Sequence, residues 1–142
     1  MSSSTLLERN RLILCHFDSY STALRFVIIN GSAMLPLPLP EDAQAVDRPQ
    51  ASGDAPADVL RATLDALLVQ PDQIEVQQDF AASVGSGTQP VQIHLARFMT
   101  FEAPQQRVAP HDGSFKPISE LRRLPMTELL LLRQAFNLIM GA

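Results

Sequence analysis

The closing apolar stretch constrains the rest of the chain most. "MTELLLLRQAFNLIMG" (126–141) has the length and period of a helix, with Pro125 ahead of it and Gly141 just past its end. Its run Leu129–Leu132 makes it apolar nearly all round. Such a helix is expected to be sandwiched, with a sheet on one side and another helix or a partner chain on the other. The preceding residues must therefore supply a sheet.

They contain several strand candidates. "RLILCHF" (11–17) is a short apolar, β-compatible run closed by the turn signal "DSYS". "ALRFVII" (23–29) is rich in β-branched residues and is bounded by Asn30-Gly31. That pair predicts a hairpin, because a type I′ turn needs positive φ at both central positions. The return segment "SAMLPLPL" carries prolines, which cannot donate to a ladder, so it is expected as an edge strand or an extended loop. "LPLPLP" also allows a polyproline II segment offered to a partner. "IEVQQDFAASV" (74–84) reads as one strand and "GSGTQ" as a turn. In "VQIHLARFMTF" (91–101), Val91, Ile93 and Leu95 alternate with Gln92, His94 and Ala96, the period of a half-buried strand. "EAPQQRVAPHDGS" reads as a polar loop, and "FKPISELRRLP" as a short strand followed by a turn of helix.

With 142 residues and 46% hydrophobic content, the chain is expected to form one domain, 1–142, with a real core. Residues 1–10 read as a loose polar start, and 41–57, "EDAQAVDRPQASGDAPA", as a long loop. The net charge of −4 and the scattered Lys and Arg argue against a nucleic-acid partner. No apolar run approaches the length of a membrane span, and no signal-peptide pattern opens the chain, so a cytoplasmic location is expected and no membrane partner. The single Cys15 excludes an intramolecular disulfide framework. Its apolar setting predicts a buried, inert thiol.

Between the long loop and residue 74 lies a helix, 57–69. Leu60, Leu64, Leu67 and Leu68 fall together at helical spacing, and Asp58, Arg61 and Asp65 fall together opposite them. The element order β, β, β, α, β, β, β, α predicts an α+β protein, a mixed sheet flanked by helices in an α/β/α sandwich.

In this order, "GDAPADVLRATLDALLV" resembles the box of the Nudix family, G-x5-E-x7-R-E-U-x-E-E-x-G-U, where U is apolar. The family's box forms a loop, a helix and a loop, and its glutamates bind divalent metal, usually magnesium, which activates a water for attack on a diphosphate. Arg61 matches the family's arginine. Ala62 stands for the first helix glutamate, Asp65 for the second and Ala66 for the third. Leu68 replaces the glycine, and Val69 keeps the last apolar position. Asp54, in "GDAP", resembles the upstream glutamate, one residue short of the family's spacing. The strand, turn and strand that follow, and then "FKPISELRRLP", are similar to the family's downstream order, so the resemblance spans roughly 20–140.

The resemblance implies a degenerate box. Asp65, alone or with Asp54 and Asp58, is the candidate metal ligand, and these three with His111 are the candidate catalytic groups. Arg61 and His94 are candidate ligand-binding groups. The alternative for Asp58, Arg61 and Asp65 is a solvated face with i, i+3 and i, i+4 ion pairs. His94 either lines a cleft or is a satisfied sheet histidine. His16 and Cys15, adjacent on a strand, point to opposite faces and form no catalytic pair. His111-Asp112 is expected in a solvent-facing turn, and "SVGSG" (83–87) as a hairpin rather than a phosphate cradle.

The leading expectation is a non-hydrolytic binding or regulatory module without a cofactor. It would be a homodimer through the last helix or the edge strands, with room for a nucleotide-like ligand. A divergent hydrolase using magnesium is the first alternative. An unrelated α+β accessory protein docking through its last helix is the second.

Overall fold

The computed structural model describes residues 3–45, 54–70, 73–80, 82–86 and 89–141. A short helix α1 (Ser3–Glu8) leads into strand β1 (Asn10–Asp18), and β2 (Ala23–Ile29) follows. Within the stretch expected to be loose, residues 3–8 are therefore helix and residue 10 opens a strand. A two-residue strand β3 (Gln44–Ala45) lies within the expected long loop, and 46–53 fall outside the described residues. Then come helix α2 (Pro56–Leu67), β4 (Ile74–Val76), β5 (Ala82–Ser86) and β6 (Gln89–Phe98). The expected polar loop holds a turn of helix, α3 (Gln105–Val108), and a 3-10 turn (Ala109–His111). Strand β7 (Gly113–Pro117), a second 3-10 turn (Ile118–Glu120) and helix α4 (Met126–Met140) complete the fold.

The strands form one seven-stranded mixed sheet in the order β3-β5-β6-β1-β2-β7, with β4 also on β6. β1 and β6 run parallel, residues 10–16 against 92–98, and the other pairings are antiparallel. β4 and β5 meet β6 at different heights, Ile74–Val76 against 96–98 and Ala82–Ser86 against 89–93. The expected single strand 74–84 is thus one sheet position broken at 77–80, where Gln77 N–H still reaches the Leu95 carbonyl at 2.7 Å.

Asn30 and Gly31 both take positive φ, 53° and 76°, as a type I′ turn requires. The first part of the segment after them is not an edge strand. It wedges between β1 and β2, with isolated bridges Ile29–Ser32 and Leu12–Leu35, and buries Ala33, Met34 and Leu35. Two side chains fix it. Glu128, buried in the first turn of α4, accepts from the Ser32 hydroxyl (3.0 Å) and the Ala33 N–H (2.9 Å). Arg11, also buried, donates to the Leu37 carbonyl (3.0 Å) and to the carbonyls of Asn10 and Leu7. Burial lowers the Arg11 pKa from its ordinary value, and these carbonyls replace the water it loses.

Two apolar layers cover the sheet. On one face Ile13, Phe26, Ile93 and Leu95 join Leu131, Leu132 and Ala135 of α4. On the other Leu12, Leu14, Val27, Ala96 and Phe98 join Leu64 and Leu67 of α2. α4 packs on the sheet through one side, and Met126, Leu130 and Leu138 are exposed. At the sheet edge Gly113 admits no side chain, since a Cβ there would lie 2.7 Å from the Val108 Cβ.

Candidate functional site

α2 carries the box-like segment, and its faces differ in chemistry. Val59, Ala62, Thr63, Leu64 and Leu67 are buried, and the Thr63 hydroxyl donates to the Val59 carbonyl at 2.8 Å. Asp58, Arg61 and Asp65 are exposed. They share a solvated face as expected, but the expected ion pairs among them do not form within the described residues. In water the Coulomb gain of such a pair barely exceeds the entropy of holding two long side chains.

Ala62, the position of the first helix glutamate in the resemblance, is 5% exposed and belongs to the packed face. Ala66 is exposed. Leu68 ends the helix in the left-handed conformation (φ 56°, ψ 38°), its N–H turned back to the carbonyls of Asp65 and Leu64. That conformation suits glycine, and Leu68 stands where the resemblance puts one. It also swings Leu68 out, 83% exposed, away from the face its spacing assigned to it. Val69 is buried, as the last apolar position requires.

Polar groups are gathered at the other end of the helix. Asp54 immediately precedes Ala55, the extended N-cap residue, and Pro56, the first helical residue. Arg9 grips its carboxylate with two bonds, Nε to Oδ2 at 2.7 Å and Nη2 to Oδ1 at 2.9 Å. Asn10 Nδ2 donates to the same Oδ2 at 2.7 Å and to the Leu6 carbonyl at 3.0 Å. The Asn10 Oδ1 is left to face His94 Nε2 at 2.8 Å, which assigns the Nε2–H tautomer to His94. A continuous relay Arg9–Asp54–Asn10–His94 thus ties α1, β1 and β6 to the start of α2. The hydrogen bond to Asp54 raises the Arg9 pKa. Burial lowers that of His94, with the Asp54 charge opposing, and a neutral imidazole can still donate to Asn10. His94 is therefore a satisfied sheet histidine on the α2 side.

Of the residues singled out in the sequence, the structure joins Asp54 to His94 through Asn10. It leaves Asp58, Arg61 and Asp65 apart from them. His111 ends the 3-10 turn, half-buried, and Asp112 after it takes positive φ. No described bond links His111 to the relay. Arg9 and Asn10 carry no sequence signal because they lie in the stretch expected to be loose, and their contacts with Asp54 cross 45 and 44 residues of sequence. Cys15 is buried and its thiol is pushed up to about 12, chiefly by burial, with Arg97 opposing. His16, facing the opposite layer, bonds the Thr100 carbonyl through Nε2 at 2.9 Å. Ser83–Ser86 belong to the β5–β6 ladder, and Gly87 lies outside the described residues.

Among the described residues no group of three or more His, Cys, Asp or Glu is placed to hold a metal ion, and no helix is long and apolar enough to cross a membrane. Among the described residues, the box-like segment does not fit the magnesium that the resemblance implies. Asp65 shares its solvated helix face with Asp58 and Arg61, Ala62 and Ala66 offer no oxygen, and both Asp54 oxygens accept from Arg9, one of them also from Asn10. Magnesium needs clustered carboxylates to replace part of a tightly held water shell.

No protein-family profile matches the sequence, and neither does any curated protein. Solved structures do match its fold. The Ap4A hydrolase of C. elegans superposes with a TM-score of 0.57 at 12% identity, over 92% of this chain and 96% of that one. The Nudix hydrolase RenU of M. smegmatis gives 0.56 at 15% identity, over 93% and 85%. The fold is therefore Nudix-like: a mixed sheet flanked by helices.

Proposed function

We propose that this chain is a Nudix-like-fold protein with a degraded catalytic box, working as a non-hydrolytic ligand-binding or regulatory module. One observation carries the reading: the carboxylates that a metal-dependent diphosphatase would gather are absent, exposed singly or, at Asp54, already paired with a guanidinium. Losing helix carboxylates removes the charge that strips water from magnesium, and with it the activated nucleophile. The structural role of Asp54 supports this, because Arg9 and Asn10 already draw on its two oxygens and the guanidinium offsets its charge.

The test is titration of the full chain with magnesium and manganese, followed by a screen for hydrolysis of nucleoside diphosphate derivatives. No metal-dependent turnover is expected, and Asp65→Asn is expected to behave as wild type. Metal-dependent turnover abolished by Asp65→Asn would overturn the reading in favour of the divergent magnesium hydrolase. The likeness to two proteins named as hydrolases is the observation on that side.

Two further parts belong to the proposal. The exposed Met126, Leu130 and Leu138 on α4 support a homodimer through this helix. Leu130→Glu is then expected to yield a monomer in light scattering, and a wild-type monomer at tens of micromolar would remove this part. A cytoplasmic location and a nucleotide-like ligand complete it.

A further inference from the structure

The chemistry that α2 lacks has a counterpart on the opposite side of the sheet. A cavity of about 580 Å³ opens beside the edge strand β7, under the turns that lead into α4. That volume falls within the roughly 300–1,000 Å³ of small-molecule sites. Its apolar wall is Ile28, Leu121 and Leu124, buried members of the α4-side core. Lys116, Arg122 and Arg123 supply its charge. All three are exposed, and none has a hydrogen bond or ion pair among the described residues. Glu120 is the carboxylate in the lining, so the cavity is cationic within a chain of net charge −4.

The wall is preformed. Leu121 N–H bonds the Ile118 carbonyl and Leu124 N–H the Leu121 carbonyl, each at 3.1 Å. These two turns fix residues 118–124, and their buried leucines anchor them to the core. Three cations lining one cavity favour a bound anion, which offsets their like charge. An apolar wall beside a cationic one matches a molecule with the same division.

We infer that this cavity binds a small aromatic phosphate ester, its ring against Ile28, Leu121 and Leu124 and its phosphates on Lys116, Arg122 and Arg123. The site stands whether or not the α2 side turns over a substrate.

The test is calorimetric titration of the full chain with ADP, with adenosine and inorganic diphosphate as half-probes, at low and high salt. Saturable ADP binding is expected, weakened by salt, and each half-probe is expected to bind roughly tenfold or more weakly because it fills one part of the division. The double variant Lys116→Ser/Arg123→Ser should bind ADP at least roughly tenfold more weakly, whereas Asp58→Asn/Asp65→Asn should leave binding unchanged. Amide shifts on ADP addition should fall on 113–124 and not on 54–69, a readout that holds even if the double variant fails to fold. Absence of saturable ADP binding would overturn the inference. So would shifts confined to 54–69, which would return the ligand to the α2 side and leave the proposed module intact.

Discussion

Leu68 carries a backbone conformation at odds with its side chain. It sits in the left-handed region that a β-carbon disfavours, with its side chain in solvent and little packing to lose. Leu68→Gly is expected to stabilise the protein by about 0.5–1 kcal/mol, read as a higher urea midpoint at constant slope. His94 offers a second measurement at this scale. Its folded pKa lies below the ordinary 6.5 because burial disfavours the imidazolium. On acidification the unfolded chain takes up a proton that the folded chain resists. The stability contributed by neutral His94 is thus present above pH 6.5 and is lost as pH falls through the lower folded value. His94→Gln keeps a donor toward Asn10 and does not titrate. Its unfolding free energy should therefore fall less than the wild type's between about pH 7 and pH 5, and equal slopes would remove His94 from the explanation. The Asp54 partner of this network had a sequence signal, a carboxylate ahead of a Pro-initiated helix. Arg9 and Asn10 had none, because polar residues in a short N-terminal run carry no periodicity and their contacts are entirely long-range.

Strands and helices were legible where hydrophobic period and turn chemistry agreed. β2 matches residues 23–29 because β-branched residues meet an Asn-Gly turn. α4 ends at Gly141 for the reason its sequence suggested. Periodicity failed where tertiary contacts decide the outcome. The proline-bearing segment after Gly31 lacks the donors of a ladder, yet it is held inside the sheet by Glu128 and Arg11, residues 96 and 26 positions removed from their partners. The break between β4 and β5 coincides with Gln77-Gln78-Asp79, three polar residues in a row where the alternation of "IEVQQDFAASV" lapses. Glu128 is the most exacting of these contacts. Glu128→Leu would keep the helix and its burial while stranding the Ser32 hydroxyl and the Ala33 N–H. A loss of about 2–4 kcal/mol is expected in denaturant unfolding, and a loss below about 0.5 kcal/mol would mean the turn does not depend on the carboxylate.

For the molecule as a whole, the sheet has a long-range parallel pairing at its centre, between β1 and β6. β2 and β5 each find an antiparallel neighbour nearby in the chain, but the parallel seam between β1 and β6 closes a loop of most of the protein. Contacts of such separation form late, because loop entropy must be overcome before they stabilise anything. A fragment ending at residue 88 retains β1, β2 and α2 and lacks the strand that covers one whole side of β1. It is expected to show no cooperative thermal transition, whereas the intact chain should melt as one unit. The same seam bears on biosynthesis: a ribosome must release residue 98 before the first strand it made can acquire its second neighbour. Until then the apolar run 12–15 is an unshielded edge, and a chaperone that recognises exposed β-strands would find its substrate there.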